Sequence, residues 1–289
     1  MRVLIAGAEG QIGRAMVKAS PPGAELRGLN RAELDLTSPM EVARVVSEYR
    51  PELVVNAAGY TGVDRAETEP DTARAVNAEG ARYLAEAAAQ VQARMLHFST
   101  DYVFDGKQQR PYQPDDRPNP LNAYGASKLA GERAVLGTLA DRAVVLRTAW
   151  VYAASGRNFL RTMLRLMDEQ EQVRVVSDQT GTPTSAASVA RAAWAIAGRP
   201  DLHGITHWTD EGAASWYEFA AAIREEGLKM GLLKRAATIL PIATEEYPTP
   251  ARRPRYSVLD CSATRAALQL SPDQWRIALR RTLEELAHA

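Results

Sequence analysis

In the stretch "YGASKLAGE", Tyr124 and Lys128 stand four residues apart, the spacing that puts two side chains on one face of a helix. A free phenol titrates at about 10, too high for ready proton exchange at neutral pH, and a nearby ammonium favours the phenolate. The pair therefore has the makings of a general acid tuned by a cation. Shortly before it, "FSTDYVFDG" offers two hydroxyls, Ser99 and Thr100, suited to polarise a carbonyl through a second hydrogen bond. Y-x-x-x-K is short and arises by chance in many chains of this length, so its value depends on the elements that carry it.

Those elements alternate. "RVLIAGA" (2–8) reads as a strand ending in glycine, and "GQIGRAMVKAS" as the helix after it. "AELRGL" is a second strand, "MEVARVVSEYR" a helix and "PELVVNAAG" a buried third strand. Ser38 can cap that helix, with Pro39 in its first position and Glu41 completing a capping box. A long helix is expected over Thr72 to Val91, then "RMLHFST" as the fourth strand, a helix over "YGASKLAGERAVLGTL" and "RAVVLRTAWVY" as the fifth strand. This rhythm predicts an α/β fold, a Rossmann-like doubly wound parallel sheet with helices on both faces. Ligands of such sheets sit beyond the carboxyl ends of the strands, where Thr100 falls. After Val151 the order changes to a helix over "NFLRTMLRLMDEQ", a strand "VRVVSDQ", a helix over "SVARAAWAIAG" and proline-rich connections at 241–254. Residues 1–152 are thus expected to bind a dinucleotide, and 153–289 to form mainly a smaller C-terminal substrate-binding lobe with interleaved segments.

Gly7, Gly10 and Gly13 form "GAEGQIG" at the first strand-to-helix junction. A pyrophosphate must approach the backbone closely there and rest on the helix N-terminus, which side chains with a Cβ obstruct. The spacing differs from G-x-G-x-x-G. An acidic residue at the end of the second strand is the usual partner of the ribose of NAD, but here that strand ends in "GLNR". Asn30 and Arg31 carry no negative charge and the guanidinium can pair with a 2′-phosphate, which favours NADPH, with NADH possible as a second choice. Asp35 either bonds an adenine amino group or caps a turn. "NAAGYTG" (56–62) supplies small residues where a ribose and nicotinamide pass close to backbone.

Composition narrows the alternatives. With 35 basic and 35 acidic residues the chain lacks the net basic face that nucleic acid requires, although Arg252 and Arg253 remain candidates for a small anion. No apolar run is long enough for a membrane span or a signal peptide, and the single cysteine, Cys261, cannot form an intramolecular disulfide, so a cytoplasmic protein with a half-buried free thiol is expected. His203 and His207 in "HGITH" read as a strand entering a loop, without the carboxylate or cysteine cluster of a metal site.

On these motifs the chain resembles the extended short-chain dehydrogenase/reductases, and among them the dTDP-4-dehydrorhamnose reductases. The likeness runs through "GAEGQIG", "NAAGYTGVDRAE", "FSTDYVFDG", "PLNAYGASKLAGE", "LRTAWVY", "NFLRTMLRL", "SDQTGTPT", "SWYEFA" and "YPTPARRPRYSVLD", nearly the whole chain. It implies hydride transfer from NADPH to C4 of dTDP-4-dehydro-L-rhamnose, giving dTDP-L-rhamnose. By the same resemblance Tyr124 gives the proton, Lys128 lowers the tyrosine pKa and holds the nicotinamide ribose, and Thr100 tunes the tyrosine or binds the sugar oxygen. Asp101 and Trp150 contact the sugar, Gly10, Gln11 and Ile12 lie along the pyrophosphate, Asp35 and Leu36 join Asn30 and Arg31 in the cofactor site, and Gly59, Tyr60 and Thr61 line its cleft. Some relatives hold magnesium with carboxylates at a subunit contact. Here the corresponding positions are Ala15 and Ala187, so no required metal is expected, and a monomer or weak homodimer. Two rival readings are a non-catalytic NADP-binding regulatory subunit, disfavoured because Tyr124, Lys128 and Thr100 are all present, and a reductase of another nucleotide-linked 4-keto sugar.

Overall fold

The computed structural model describes residues 1–288. Six parallel strands make the central sheet: β1 Arg2–Ala6, β2 Glu25–Leu29, β3 Leu53–Asn56, β4 Arg94–Thr100, β5 Ala143–Thr148 and β6 Gly204–His207, in the order β2-β1-β3-β4-β5-β6. All four residues of β3 and all six of β5 are buried, which is why Leu53–Val55 and Ala143–Leu146 read as unbroken apolar runs rather than as alternation. Helices cover both faces. On one face α2 (Pro39–Tyr49) and α3 (Gly80–Gln90) pack Val42, Val46, Leu84 and Ala88 against Leu4 and Val54. On the other, α1 (Gln11–Lys18) and a helix from the second half of the chain, Ala186–Ala197, bring Met16, Val189 and Ala193 to Ile5 and Leu96. Trp194 of that second helix donates to the Met16 carbonyl at 2.9 Å.

Between β1 and β3 the strand order reverses direction, and a crevice opens at their carboxyl ends. The catalytic-helix candidate, α4 (Ala123–Leu139), follows β4. With the sheet-packing Ala186–Ala197 helix numbered α6, the second half of the chain builds its own core from α5 (Phe159–Glu169), α7 (Trp216–Lys229) and α8 (Trp275–Ala287), with Tyr152, Leu160, Met163, Phe219, Ile223 and Leu279 buried together. Beside it lies a parallel ribbon of Gln172–Val176 and Thr238–Ile242.

Three local readings change. The helix expected over Thr72 to Val91 runs unbroken from Pro70 to Gln90 but contains a π turn, Ala75–Glu79, before α3, and a separate short helix, Val63–Thr68, precedes it, with Pro70 starting the longer one. The fifth strand stops at Thr148 because Trp150 takes a left-handed conformation, φ +47°, before a short strand Val151–Tyr152. The capping box of α2 is only half made. Ser38 accepts from the Glu41 N–H at 3.4 Å, but its own N–H is taken by the Asp35 carbonyl at 3.0 Å, leaving Glu41 no partner there.

Candidate active site

The start of α4 is fixed from three sides. Asn122 accepts from the Gly125 N–H at 2.7 Å and donates to the Arg252 carbonyl at 2.8 Å, while Glu67 accepts from the Ala123 N–H at 2.7 Å. At Gly125 a Cβ would stand 2.2 Å from the Tyr102 carbonyl oxygen, so only glycine lets the helix approach the segment after β4. That approach brings Tyr124 to Thr100. The phenol is half-buried and meets Tyr102 edge-on at 6.0 Å between centroids, with Thr100 among the groups that act on its titration. Burial pushes its pKa up to about 12, against the Thr100 hydrogen bond and with Asp101 adding to the rise.

Lys128 is buried, and its Nζ donates to the Phe98 carbonyl at 2.6 Å. Desolvation brings its pKa down to about 8, partly offset by Glu132. Here the structure departs from the expectation that the ammonium lowers the phenol pKa. The Phe98 carbonyl holds Lys128, and burial dominates at the tyrosine. One of the three ammonium N–H groups is used in this way, which leaves two for ribose hydroxyls. Thr100 donates to Asp101 Oδ1 at 3.0 Å and accepts from the Tyr102 N–H at 3.2 Å. Asp101 is 2 % exposed and its Oδ2 has no partner. Burial pushes its pKa up to about 7, opposed by hydrogen bonds from Ser257 and Thr100. A carboxyl with one oxygen unpaired, next to a phenol, suits a polyhydroxy ligand that brings its own hydroxyl.

The crevice fits a dinucleotide by its close contacts. A Cβ on Gly7 would lie 2.5 Å from the Ala58 nitrogen, and one on Gly13 2.2 Å from the Gly7 carbonyl, so the turn over β1 and β3 has no room for side chains. Gly10 leads α1 as its N-cap residue without any capping side chain, leaving that helix end to an incoming anion. Gln11 accepts from Asn158 Nδ2 at 2.9 Å, tying the cradle to α5, and Ile12 packs against the core. Gly59 passes close to Lys128: a Cβ there would be 4.0 Å from Nζ. Tyr60 donates through its hydroxyl to Glu69 at 2.7 Å, and Thr61 is exposed beside it. At the end of β2, Asn30 folds its amide onto the Ala32 and Glu33 N–H groups and onto Glu9, while Arg31 is exposed and makes no hydrogen bond among the described residues. One oxygen of Asp35 caps a turn, accepting from the Thr37 N–H at 2.9 Å and its hydroxyl at 2.8 Å. The Leu36 side chain belongs to the core and meets Gly80.

On the lobe side, the Trp150 indole lies flat on Trp216, centroids 3.4 Å apart and planes 5° apart. Gly181 makes the space, since a Cβ there would stand 2.5 Å from the Trp150 ring. A non-glycine residue held at φ +47° stores strain that its surroundings must outweigh, and such residues cluster at ligand sites.

Several side chains gain a place that pattern alone did not reveal. Asn77, in the π turn, accepts from the Tyr60 N–H at 2.8 Å, donates to the Tyr60 carbonyl at 3.0 Å and donates to Ser127 at 2.9 Å, tying the β3 loop to α4. Arg253 is not free for an anion: it makes a forked pair with Asp64 at 3.0 and 2.7 Å. Arg252 is exposed. Cys261 is buried rather than half-buried. His203 is exposed, whereas His207 is buried against the Tyr112 carbonyl, so the two share no ligand. Ala15 is half-buried and Ala187 exposed. Among the described residues no group of three His, Cys, Asp or Glu side chains converges on a metal-sized site, and no helix is long and apolar enough to cross a membrane.

A glycine-lined crevice at the reversal of a parallel sheet, with a tyrosine–lysine helix following the next strand, defines the short-chain dehydrogenase/reductase class. Comparison with known proteins narrows it. The model of the family described as "RmlD substrate binding domain" matches residues 1–288. The chain is 40 % identical over 286 residues to a dTDP-4-dehydrorhamnose reductase of Aggregatibacter actinomycetemcomitans, covering 96 % of this chain and 97 % of that one. It is 42 % identical over 301 aligned positions to one of Burkholderia thailandensis, with 99 % of both covered. The crystal structure of the Bacillus anthracis dTDP-4-dehydrorhamnose reductase in complex with NADP superposes with a TM-score of 0.93 at 36 % identity, over 98 % of this chain and 99 % of that one. The chain belongs to the RmlD family, that of the dTDP-4-dehydrorhamnose reductases.

Proposed function

We propose that this chain reduces the C4 keto group of dTDP-4-dehydro-L-rhamnose to dTDP-L-rhamnose, with Tyr124 as the proton donor. The observation that carries the residue roles is the meeting of Tyr124, Thr100 and Asp101 at the carboxyl end of β4, with Lys128 seated one helical turn away. NADPH bound in the crevice supplies the hydride. Gly7, Gly10 and Gly13 admit its pyrophosphate, with Gln11 and Ile12 alongside, and Arg31 is the side chain free to meet a 2′-phosphate. Lys128 keeps its Phe98 contact and offers its remaining N–H groups to the nicotinamide ribose. Tyr124 donates to the keto oxygen, and the Thr100 hydroxyl, whose proton lies on Asp101 Oδ1 at 3.0 Å, turns from that carboxyl to join it, so the charge that develops there meets two donors. The phenol proton passes to that oxygen. A phenol whose pKa is near 12 is a weak acid, and the negative charge that develops on the keto oxygen as it becomes an alkoxide is what draws its proton across. Asp101 and Trp150 hold the sugar. A cytoplasmic enzyme, monomeric or weakly dimeric, accords with the single buried thiol and with alanine at positions 15 and 187.

The test is NADPH oxidation with the 4-keto sugar generated in situ, repeated with NADH and with EDTA. Turnover that prefers NADPH and survives EDTA is expected. No turnover by a protein that still binds NADPH would transfer the assignment to another nucleotide sugar or to a non-catalytic role, and loss of activity on chelation would reinstate a metal.

A further inference from the structure

One helical turn beyond Lys128 on α4 lies Glu132, 1 % exposed. It receives a forked ion pair from Arg147 of β5, Nε to Oε1 at 2.8 Å and Nη2 to Oε2 at 2.7 Å, and Ser99 of β4 donates to Oε1 at 2.5 Å. The guanidinium lies over Phe104, 5.0 Å from the ring centroid, and meets His207 Nε2 at 3.5 Å. His207 donates from Nδ1 to the Tyr112 carbonyl at 3.0 Å, and burial with the neighbouring guanidinium holds its pKa down to about 3. The ring is therefore neutral and its Nε2 lone pair faces Arg147.

Stability alone does not explain this pair. Burying both charges cancels much of their attraction, and apolar residues of the same volume commonly serve a core as well. Its position does explain it. Ser99 lies between Phe98, whose carbonyl seats the Lys128 ammonium, and Thr100. The titratable and charged groups around that ammonium are Glu132 and Tyr124 on its own helix, neutral His97 on β4, Asp101 just after β4, and Arg147 on β5; the backbone of Gly59 closes the remaining side. Of these, Glu132 is the negative charge that offsets the desolvation of Lys128.

We propose that Glu132 is a positioning residue for the reduction: through Ser99 and Arg147 it locks α4 against β4 and β5, and it supplies the charge that keeps Lys128 an ammonium in its buried seat. The proposal rests on the reading of Lys128 as the cation beside the nicotinamide ribose. Its sign is fixed: below its pKa Lys128 is charged, and removing the carboxylate lowers that pKa, so the proton is lost at lower pH.

The experiment follows NADPH affinity by fluorescence titration, and kcat and KM by turnover, from about pH 6 to 10 across the ordinary lysine range. It compares wild type, E132Q, and the double variant E132Q/R147M, which leaves no stranded arginine and so folds even if E132Q does not. In E132Q the alkaline limb of NADPH affinity is expected to move down by about one pH unit or more, and in the double variant, which also removes the Arg147 cation, by less. At neutral pH kcat is expected to fall roughly 10²-fold, with KM for the sugar little changed, as for a reacting group displaced by about 1 Å. A cooperatively folded double variant with wild-type kcat overturns the proposal, as does a folded E132Q whose limb stays where the wild-type limb lies. If wild type fails to reduce the sugar, the functional reading falls, but the NADPH affinity profile still decides the role of Glu132.

Discussion

Replacing Gly181 by alanine tests whether the Trp150–Trp216 stack builds the sugar side of the cleft. The new methyl would stand 2.5 Å from Trp150 Cε2 and 2.7 Å from Cζ2 and Nε1. Comfortable contact between carbon atoms is ~3.5–4.0 Å, so the indole must retreat by about 1 Å. It has nowhere to go. Trp216 lies against its other face at 3.4 Å and is itself backed by Phe159 at 4.6 Å, and the Trp150 backbone is already at φ +47°. The ring must rotate out of the stack, forfeiting ~0.5–1.5 kcal/mol of aromatic pairing beyond its buried area. Overpacking of this kind costs about 1–3 kcal/mol in all. In a chain of this size that is a fall in Tm of roughly 2–10 °C. Because the perturbation sits on the lobe side, KM for the sugar should rise by about tenfold or more, the worth of one well-made contact, while NADPH affinity stays near wild type. Thermal unfolding and steady-state kinetics read both effects. A variant with unchanged Tm and unchanged sugar KM would show that Trp150 tolerates displacement and that the stack does not shape the site.

Three further perturbations address the other roles. Tyr124→Phe should lower turnover by about 10²–10⁴-fold while leaving NADPH binding nearly intact, and substantial residual turnover would remove the phenol as proton donor. Arg31→Ala should weaken NADPH roughly tenfold or more, the loss of a charge-assisted contact, and leave NADH almost unaffected; equal weakening of both cofactors would end the 2′-phosphate role. Asp101→Asn addresses a carboxyl whose folded pKa is raised from 3.8 to about 7. Between those values the folded state holds a proton that the unfolded chain has released, so this group makes wild type lose stability as pH rises from about 4 to 7, by up to about 4 kcal/mol. Denaturant unfolding at both ends of that range should find the asparagine variant gaining on wild type as pH rises; parallel slopes would mean the carboxyl titrates at its ordinary pKa.

The sheet and the crevice were legible from sequence because each rests on a local rule. Buried parallel strands are built round apolar runs, and a phosphate-binding turn must exclude Cβ atoms, so "RVLIAGA" and "GAEGQIG" declare themselves without reference to the rest of the chain. Asn77 left no such trace. Its role depends on a π turn that hydropathy does not encode, and on Tyr60 and Ser127, which are 17 and 50 residues away. Arg253 read as a possible anion contact because its neutraliser, Asp64, is 189 residues earlier. The Trp150 kink inside an apparently continuous strand was equally hidden, for nothing in "RTAWVY" signals a left-handed residue. Glu132 could have been found: Tyr124, Lys128 and Glu132 repeat at i, i+4 and i+8, and a carboxylate continuing the catalytic face of a buried helix needs a partner.

The cleft is closed by residues from both halves of the chain. Asn158 reaches Gln11 on the phosphate turn, the Arg252 carbonyl receives Asn122 at the start of α4, Arg253 grips Asp64 beyond the β3 loop, and Gly181 seats Trp150. In each pair one member lies in a segment that follows the carboxyl end of a sheet strand or at the head of α4, and the other on the second half of the chain. Such contacts are polar or aromatic and few, which suits an interface that must register two surfaces around a ligand more than it suits a core. The Glu132–Arg147 pair does the opposite work: it lies wholly within the sheet half, beneath α4, and ties the reacting helix to β4 and β5. Register of the proton donor is thus set within one half, while the walls that read the substrate are set between the two. Changes to the walls should therefore appear mainly in KM, and changes to the buried pair mainly in kcat and its pH dependence.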